Sequence, residues 1–185
     1  YHGKSFGALS LTFNPKYRKA FAPLVEKVSF ASYGDMESLL SVIDDDTSFI
    51  ILEPIQGESG IIVAPENFLQ QVRKLCDEKG ILLIFDEIQA GLGRTGRLWA
   101  CDHWNTAPDI LCLAKGIAGG VPMGATLVRP DILASMNKGE HSSTFGGNPI
   151  SCAAGIAALK ALTEDGLIEN SEKMGKIFRD GLEKL

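Results

Sequence analysis

The chain has 185 residues, 45% of them hydrophobic, enough for one sizeable core, and no apolar run long enough to cross a bilayer. Its net charge of −5 comes with no basic stripe interleaved with aromatics, which argues against nucleic acid as a partner. Four cysteines (Cys76, Cys101, Cys112, Cys152) lie far apart without a CxxC pair, a pattern of buried thiols in a reducing cytoplasm rather than of disulfides or zinc. Beginning at Tyr1 with neither Met nor a charged-then-apolar leader, the chain reads as a piece cut from a longer protein.

In chain order, Val28–Tyr33 is a strand candidate, and Asp35 caps a predicted short helix to Ile43. The apolar run from Ser48 to Glu53 predicts a strand. Pro65–Lys79 has helical spacing (Phe68, Val72, Leu75, Cys76) with Pro65 near its start and Gly80 after its end, and Ile81–Asp86 is apolar again. This strand–helix–strand unit, with strands that read as continuous apolar runs, predicts an α/β fold with a mainly parallel sheet flanked by helices. Ile110–Ala114 and Ala125–Val128 are further strands. Pro149–Leu162 and Leu167–Leu185 read as two later helices, parted by Thr163–Gly166. Ligands in such sheets sit beyond the carboxyl ends of the strands, where Glu53, Asp86 and Lys115 all fall.

Asp86 ends the run Ile81-Leu-Leu-Ile-Phe85, and Lys115 ends Ile110-Leu-Cys-Leu-Ala114. Burial of a lysine there disfavours its charged form and would leave a neutral amine for carbonyl chemistry. An acid on a neighbouring strand end suits a protonated ring nitrogen, and the two together are what pyridoxal phosphate requires of a protein. Taken singly, each has a plainer reading: Asp86 as a strand-end cap, Lys115 as a solvent-facing lysine at a helix start. Gly91-Leu-Gly93-Arg-Thr-Gly96 satisfies the GxGxxG pattern of dinucleotide sites, but Leu98–Trp104 runs into Asn105 and Pro108 where a helix should open. Thr144, in His141-Ser-Ser-Thr-Phe-Gly-Gly-Asn-Pro149, offers a hydroxyl and backbone amides to a phosphate ahead of a helix, or is an ordinary capped turn. Tyr1 is core packing or a flat face for an aromatic cofactor. His2, His103 and His141 lack metal-like spacing, and no metal is assigned.

These residues closely resemble class III (subgroup II) pyridoxal-phosphate aminotransferases, the acetylornithine, ornithine, 4-aminobutyrate and putrescine group. The stretches that carry the likeness are Tyr1-His-Gly-Lys-Ser-Phe-Gly-Ala8, Glu53-Pro-Ile-Gln-Gly-Glu58, Phe85-Asp-Glu-Ile-Gln89, Gly91–Gly96, Pro108-Asp-Ile-Leu-Cys-Leu-Ala-Lys-Gly116 and Ser143-Thr-Phe-Gly-Gly-Asn-Pro149. The resemblance implies the large domain of the fold type I transferases, with residues 1–185 as its central part. An N-terminal segment with the phosphate loop and a C-terminal small domain would lie outside, so these residues alone are expected to bind the cofactor weakly or not at all.

By the same resemblance, Lys115 carries the cofactor and moves the substrate proton, and Asp86 pairs with the ring nitrogen. Gln89 meets the ring oxygen, Tyr1 and Ile88 sandwich the ring, and Thr144 reaches the phosphate in a neighbouring subunit, which implies a cytoplasmic homodimer. Glu58 matches a glutamate that pairs with an arginine beyond Leu185 to let one site take two substrates. The implied reaction passes the terminal amine of N-acetylornithine or of carrier-protein-linked lysine or ornithine to 2-oxoglutarate, giving an aldehyde and glutamate. Lys4 stands where many members have arginine for a substrate carboxylate; either it still pairs with a carboxylate less specifically, or the donor lacks a carboxylate at that end, as in putrescine-type enzymes. The segments Lys16–Leu24 and Gly119–Ala125 look more like the acetylornithine branch. A 4-aminobutyrate aminotransferase, an aminomutase and a non-catalytic relative complete the alternatives.

Overall fold

The computed structural model describes residues 1–185. Its centre is a four-stranded sheet of β1 (Phe49–Leu52), β4 (Leu82–Asp86), β5 (Ile110–Leu113) and β6 (Ala125–Val128), in that spatial order. β1, β4 and β5 are parallel, with Ile51 opposite Ile84 and Asp86 opposite Cys112. β6 returns antiparallel to β5. A two-stranded hairpin of β2 (Ile55–Gln56) and β3 (Ile62–Val63) follows β1 directly. The α/β expectation is met.

The crossover between β1 and β4 is α4 (Phe68–Lys79), whose buried Phe68, Leu69, Val72, Leu75 and Cys76 recur at helical spacing and face the sheet. Gly80 ends it with φ 68°, a left-handed turn that glycine adopts without a Cβ clash. Leu83 and Phe85, fully buried on β4, form the middle of an apolar core that runs from Leu39 and Ile50 to Leu113 and Ile117. Burial pushes the Cys76 thiol up to about 11, as expected of a core cysteine that takes no part in chemistry. All four cysteines are free.

Before the sheet lie α1 (Phe6–Ser10), α2 (Pro15–Arg18) and α3 (Met36–Leu40). Asp35 caps α3 by accepting from the Ser38 amide at 3.0 Å, so the predicted cap is present on a shorter helix. Val28–Tyr33 is not a strand. The segment forms no ladder: a cleft lined by Val28–Tyr33 on one side and Phe49–Leu52 on the other separates its backbone from β1, and side chains tie it down instead, with the Ser32 amide donating to Ser38 Oγ and the Tyr33 hydroxyl reaching the Glu53 and Pro54 carbonyls. After β6 come α5 (Pro130–Leu133), α6 (Pro149–Glu164) and α7 (Leu167–Leu182), the last two parted at Asp165–Gly166. Asn148 caps α6 through the Ser151 amide, and α6 packs on the turn that begins at Lys115.

Asp109 clamps the other end of the sheet. Its buried carboxylate accepts from the Leu83 amide at 2.7 Å and from Arg73 at 2.8 Å, and pairs with Arg129 beyond β6. Burial pushes this carboxyl up, but the Leu83 N–H and then the two guanidinium groups outweigh it and hold the group below the ordinary carboxylate range. No helix is long and apolar enough to cross a membrane.

Candidate active site

Because β1, β4 and β5 run the same way, their carboxyl ends share one edge, and Glu53, Asp86 and Lys115 follow from it as the spacing predicts. Asp86 is the last residue of β4 and is buried, with 6% of its side chain exposed. Its Oδ1 accepts from the Ile88 amide at 3.1 Å, and its Oδ2 lies 2.8 Å from His2 Nδ1. The next residue points the other way, as the pleat demands. Glu87, fully buried, accepts from the Ala100 amide at 2.6 Å and the Cys101 amide at 2.7 Å and so ties down the 3₁₀ turn Ala100–Trp104. Glu87 thus caps the distant 3₁₀ turn, while Asp86 accepts the local Ile88 amide and keeps acceptor sites for another partner.

Gln89 sits in the turn after β4, where its Oε1 accepts from Lys115 Nζ at 2.5 Å. Its amide presses on Gly57 in the hairpin turn, where a Cβ would lie 2.5 Å from Gln89 Cδ. Glu53 organises that turn: buried beyond β1, it accepts from the Gly57 amide at 3.0 Å and from the Tyr1 nitrogen at 2.9 Å. One carboxylate thus joins the start of the chain to the loop that covers Gln89.

Lys115 differs from expectation in one respect: it is exposed, not desolvated. Ala114 leaves the strand, and Lys115 turns with φ 47° into the 3₁₀ segment Lys115–Ala118. A positive φ in a residue with a Cβ is strained and persists where the surroundings demand it, which is common at functional sites. A cleft of about 300 Å³ beside it is lined by Ile88, Gln89, Leu92, Lys115 and residues of α6. A larger one, about 1190 Å³, is lined by Tyr1, His2, Tyr17 and Glu58 among others. Tyr1 meets Tyr17 edge-on at 5.5 Å, and Lys4 Nζ lies 5.3 Å from the centre of the Tyr17 ring.

The structure therefore gathers Tyr1, Asp86, Ile88, Gln89 and Lys115 at one edge, with Lys4 exposed beside Tyr17 and Glu58 exposed on the lining of the larger cleft. Thr144 lines neither cleft; it lies in an exposed loop and makes no hydrogen bond. His2 and Glu87 were missed as partners in the sequence. Local spacing does not reveal the role of His2, because its partner is 84 residues away. Gly91–Gly96 forms turns with no helix opening inside, and its glycines serve packing: a Cβ on Gly93 would meet Ile168 at 3.2 Å, and one on Gly96 would meet Glu172.

The mixed, mostly parallel sheet presents a buried acid, an amide and a strained lysine at its strand ends, and it shares its fold with solved pyridoxal-dependent transaminases. The sequence model described as aminotransferase class-III matches residues 1–185, and the chain belongs to that family. It is 49% identical over 177 residues to an acetylornithine aminotransferase of Methanopyrus kandleri, covering 96% of this chain and 46% of that protein. It is 47% identical to ornithine aminotransferase 1 of Staphylococcus saprophyticus, over 95% of this chain and 45% of the relative. The crystal structure of ornithine aminotransferase from Toxoplasma gondii superposes with a TM-score of 0.95 at 39% identity, over all of this chain and 44% of that one. A second structure of that enzyme has PLP at partial occupancy in its active site. The chain spans about half the length of the relatives it matches.

Proposed function

We propose that this chain is the central part of the large domain of a pyridoxal 5'-phosphate aminotransferase. Its reaction moves the terminal amine of an ornithine-like donor, N-acetylornithine or a carrier-linked lysine or ornithine, to 2-oxoglutarate, giving an aldehyde and glutamate. The observation that carries this reading is the contact of Lys115 with Gln89 three residues after buried Asp86. The residues fit the cofactor. A carboxylate has about four acceptor sites, Ile88 and His2 take two of those on Asp86, and the rest remain for a ring N–H.

When bound, the cofactor supplies an electron sink for charge developing on the substrate carbon. Asp86 accepts the ring N–H and keeps that nitrogen charged. Gln89 orients the ring oxygen, and Tyr1 and Ile88 flank the ring. Lys115 Nζ would hold the cofactor and carry the proton between the amine-bearing carbon and the cofactor's C4′. Exposed Thr144 is free to reach a second subunit, in keeping with a cytoplasmic homodimer. Glu58, on the rim of the larger cleft, is placed to pair with an arginine outside these residues and so alternate between two substrates. In the full-length protein, Lys115→Ala should remove the visible absorbance of the covalent lysine–cofactor linkage. Absorbance that survives dialysis and borohydride treatment would refute the assignment. A putrescine-type donor is the second reading, supported by Lys4, a point charge held over Tyr17 in place of a planar guanidinium.

A further inference from the structure

We propose that His2 is the positioning residue of Asp86: by donating Nδ1–H to Oδ2 it fixes the carboxylate in the orientation that meets the cofactor ring nitrogen. This rests on the reading of Asp86 given above. His2 is the only side chain that hydrogen-bonds Asp86, at 2.8 Å, and both partners are nearly buried, with 12% and 6% of their side chains exposed. A buried carboxylate is costly unless its oxygens are bonded, and the Ile88 amide satisfies only Oδ1. A carboxylate accepts and does not donate, so the contact sets the histidine tautomer with its proton on Nδ1.

His2 is itself held from behind. Its backbone amide donates to Thr12 Oγ1 at 3.0 Å, and the Thr12 hydroxyl is fully buried within reach of the Gly3 and Ala8 carbonyls, at 3.2 Å and 3.1 Å. Thr12, His2 and Asp86 form a line from α1 to the end of β4, joining elements far apart in sequence. With the Ile88 amide on one oxygen and His2 on the other, the carboxylate cannot rotate about its last torsion without breaking a bond. A carboxylate so fixed gives up no further torsional freedom when the ring arrives.

The test uses the full-length protein with ¹⁵N-labelled pyridoxal phosphate and reads the ¹⁵N shift of its ring nitrogen and its dissociation constant. Asp86→Asn, His2→Phe and His2→Asn are compared, the last because an amide nitrogen can take the place of Nδ1. His2→Phe should weaken cofactor binding about tenfold and move the ring-nitrogen shift toward that of Asp86→Asn, while His2→Asn restores most of both. If Asp86→Asn moves the shift and His2→Phe does not, the positioning role is wrong and the reading of Asp86 stands. If Asp86→Asn leaves the shift unchanged, the assignment of Asp86 fails and the role of His2 falls with it. A histidine that only supported folding would lower stability in both His2 variants without a shift that tracks the donor, and that result would also overturn the proposal.

Discussion

Gly57 has no side chain with which to do chemistry, yet the structure makes it a control point for Gln89. A Cβ at residue 57 would lie 2.5 Å from Gln89 Cδ and 2.9 Å from Oε1, whereas ordinary contact begins at 3.4 Å. Gln89 Nε2 would be closer still, so the amide must retreat by about 1 Å. The displaced atoms are the end of a flexible side chain, so the fold should tolerate Gly57→Ala while the contact with Lys115 is lost. Misplacing a group by about 1 Å costs up to roughly 100-fold, so kcat/KM in the full-length enzyme should fall about 10- to 100-fold, with Tm changed by only a few degrees. A double-mutant cycle decides the route. On a Gln89→Ala background the Gly57→Ala change should have almost no further effect. An unchanged kcat/KM in the single variant, or an equal loss on both backgrounds, would refute the reasoning.

Three further outcomes can be measured. Because Lys115 has φ 47°, Lys115→Gly should be more stable than Lys115→Ala by about 1 kcal/mol in denaturant melts of the cofactor-free protein, the reverse of the usual order at ordinary φ. Asp109 has its carboxyl lowered on folding, so the unfolded chain binds the extra proton; its contribution is present above about pH 4 and fades as pH falls through the folded value. Asp109→Asn should then cost about 1–3 kcal/mol near neutrality, and the gap to the parent should narrow in melts taken on acidification; a pH-independent gap would be the contrary result. If Lys4 binds a substrate carboxylate, Lys4→Arg should shift preference toward N-acetylornithine over putrescine in a donor panel, and an unchanged or reversed ratio would discredit that role.

The parallel strands were legible because burial on both faces leaves continuous apolar runs, and their shared direction was enough to bring Glu53, Asp86 and Lys115 to one edge. Val28–Tyr33 is rich in strand-forming residues, but a strand exists only with a backbone neighbour, and β1 pairs with β4 alone. The exposure of Lys115 was hidden for a related reason: composition placed it at the end of an apolar run, while a left-handed turn at that residue carries it off the strand. The pair of His2 and Asp86 joins residues too distant for any local spacing to show.

Asp86 and Glu87 show how two adjacent acids come to separate tasks. Side chains alternate across a strand, so an acid on one side of the sheet edge has its neighbour on the other. Burial pushes the Glu87 carboxyl up, against the opposing amides of Cys101 and Ala100, and the group remains enclosed because it holds the Ala100–Trp104 turn. Gly91 follows from this: a Cβ there would come within 2.9 Å of both the Glu87 backbone oxygen and Oε2. The three glycines that mimic a phosphate-binding pattern therefore answer to three neighbours, Glu87, Ile168 and Glu172. They lock the loop behind β4 to α7 and to the 3₁₀ turn, and the anchored loop carries Gln89 to Lys115. Gly91→Ala should accordingly act on Gln89 and Lys115 through Glu87, lowering stability and activity together, where Gly57→Ala lowers activity alone.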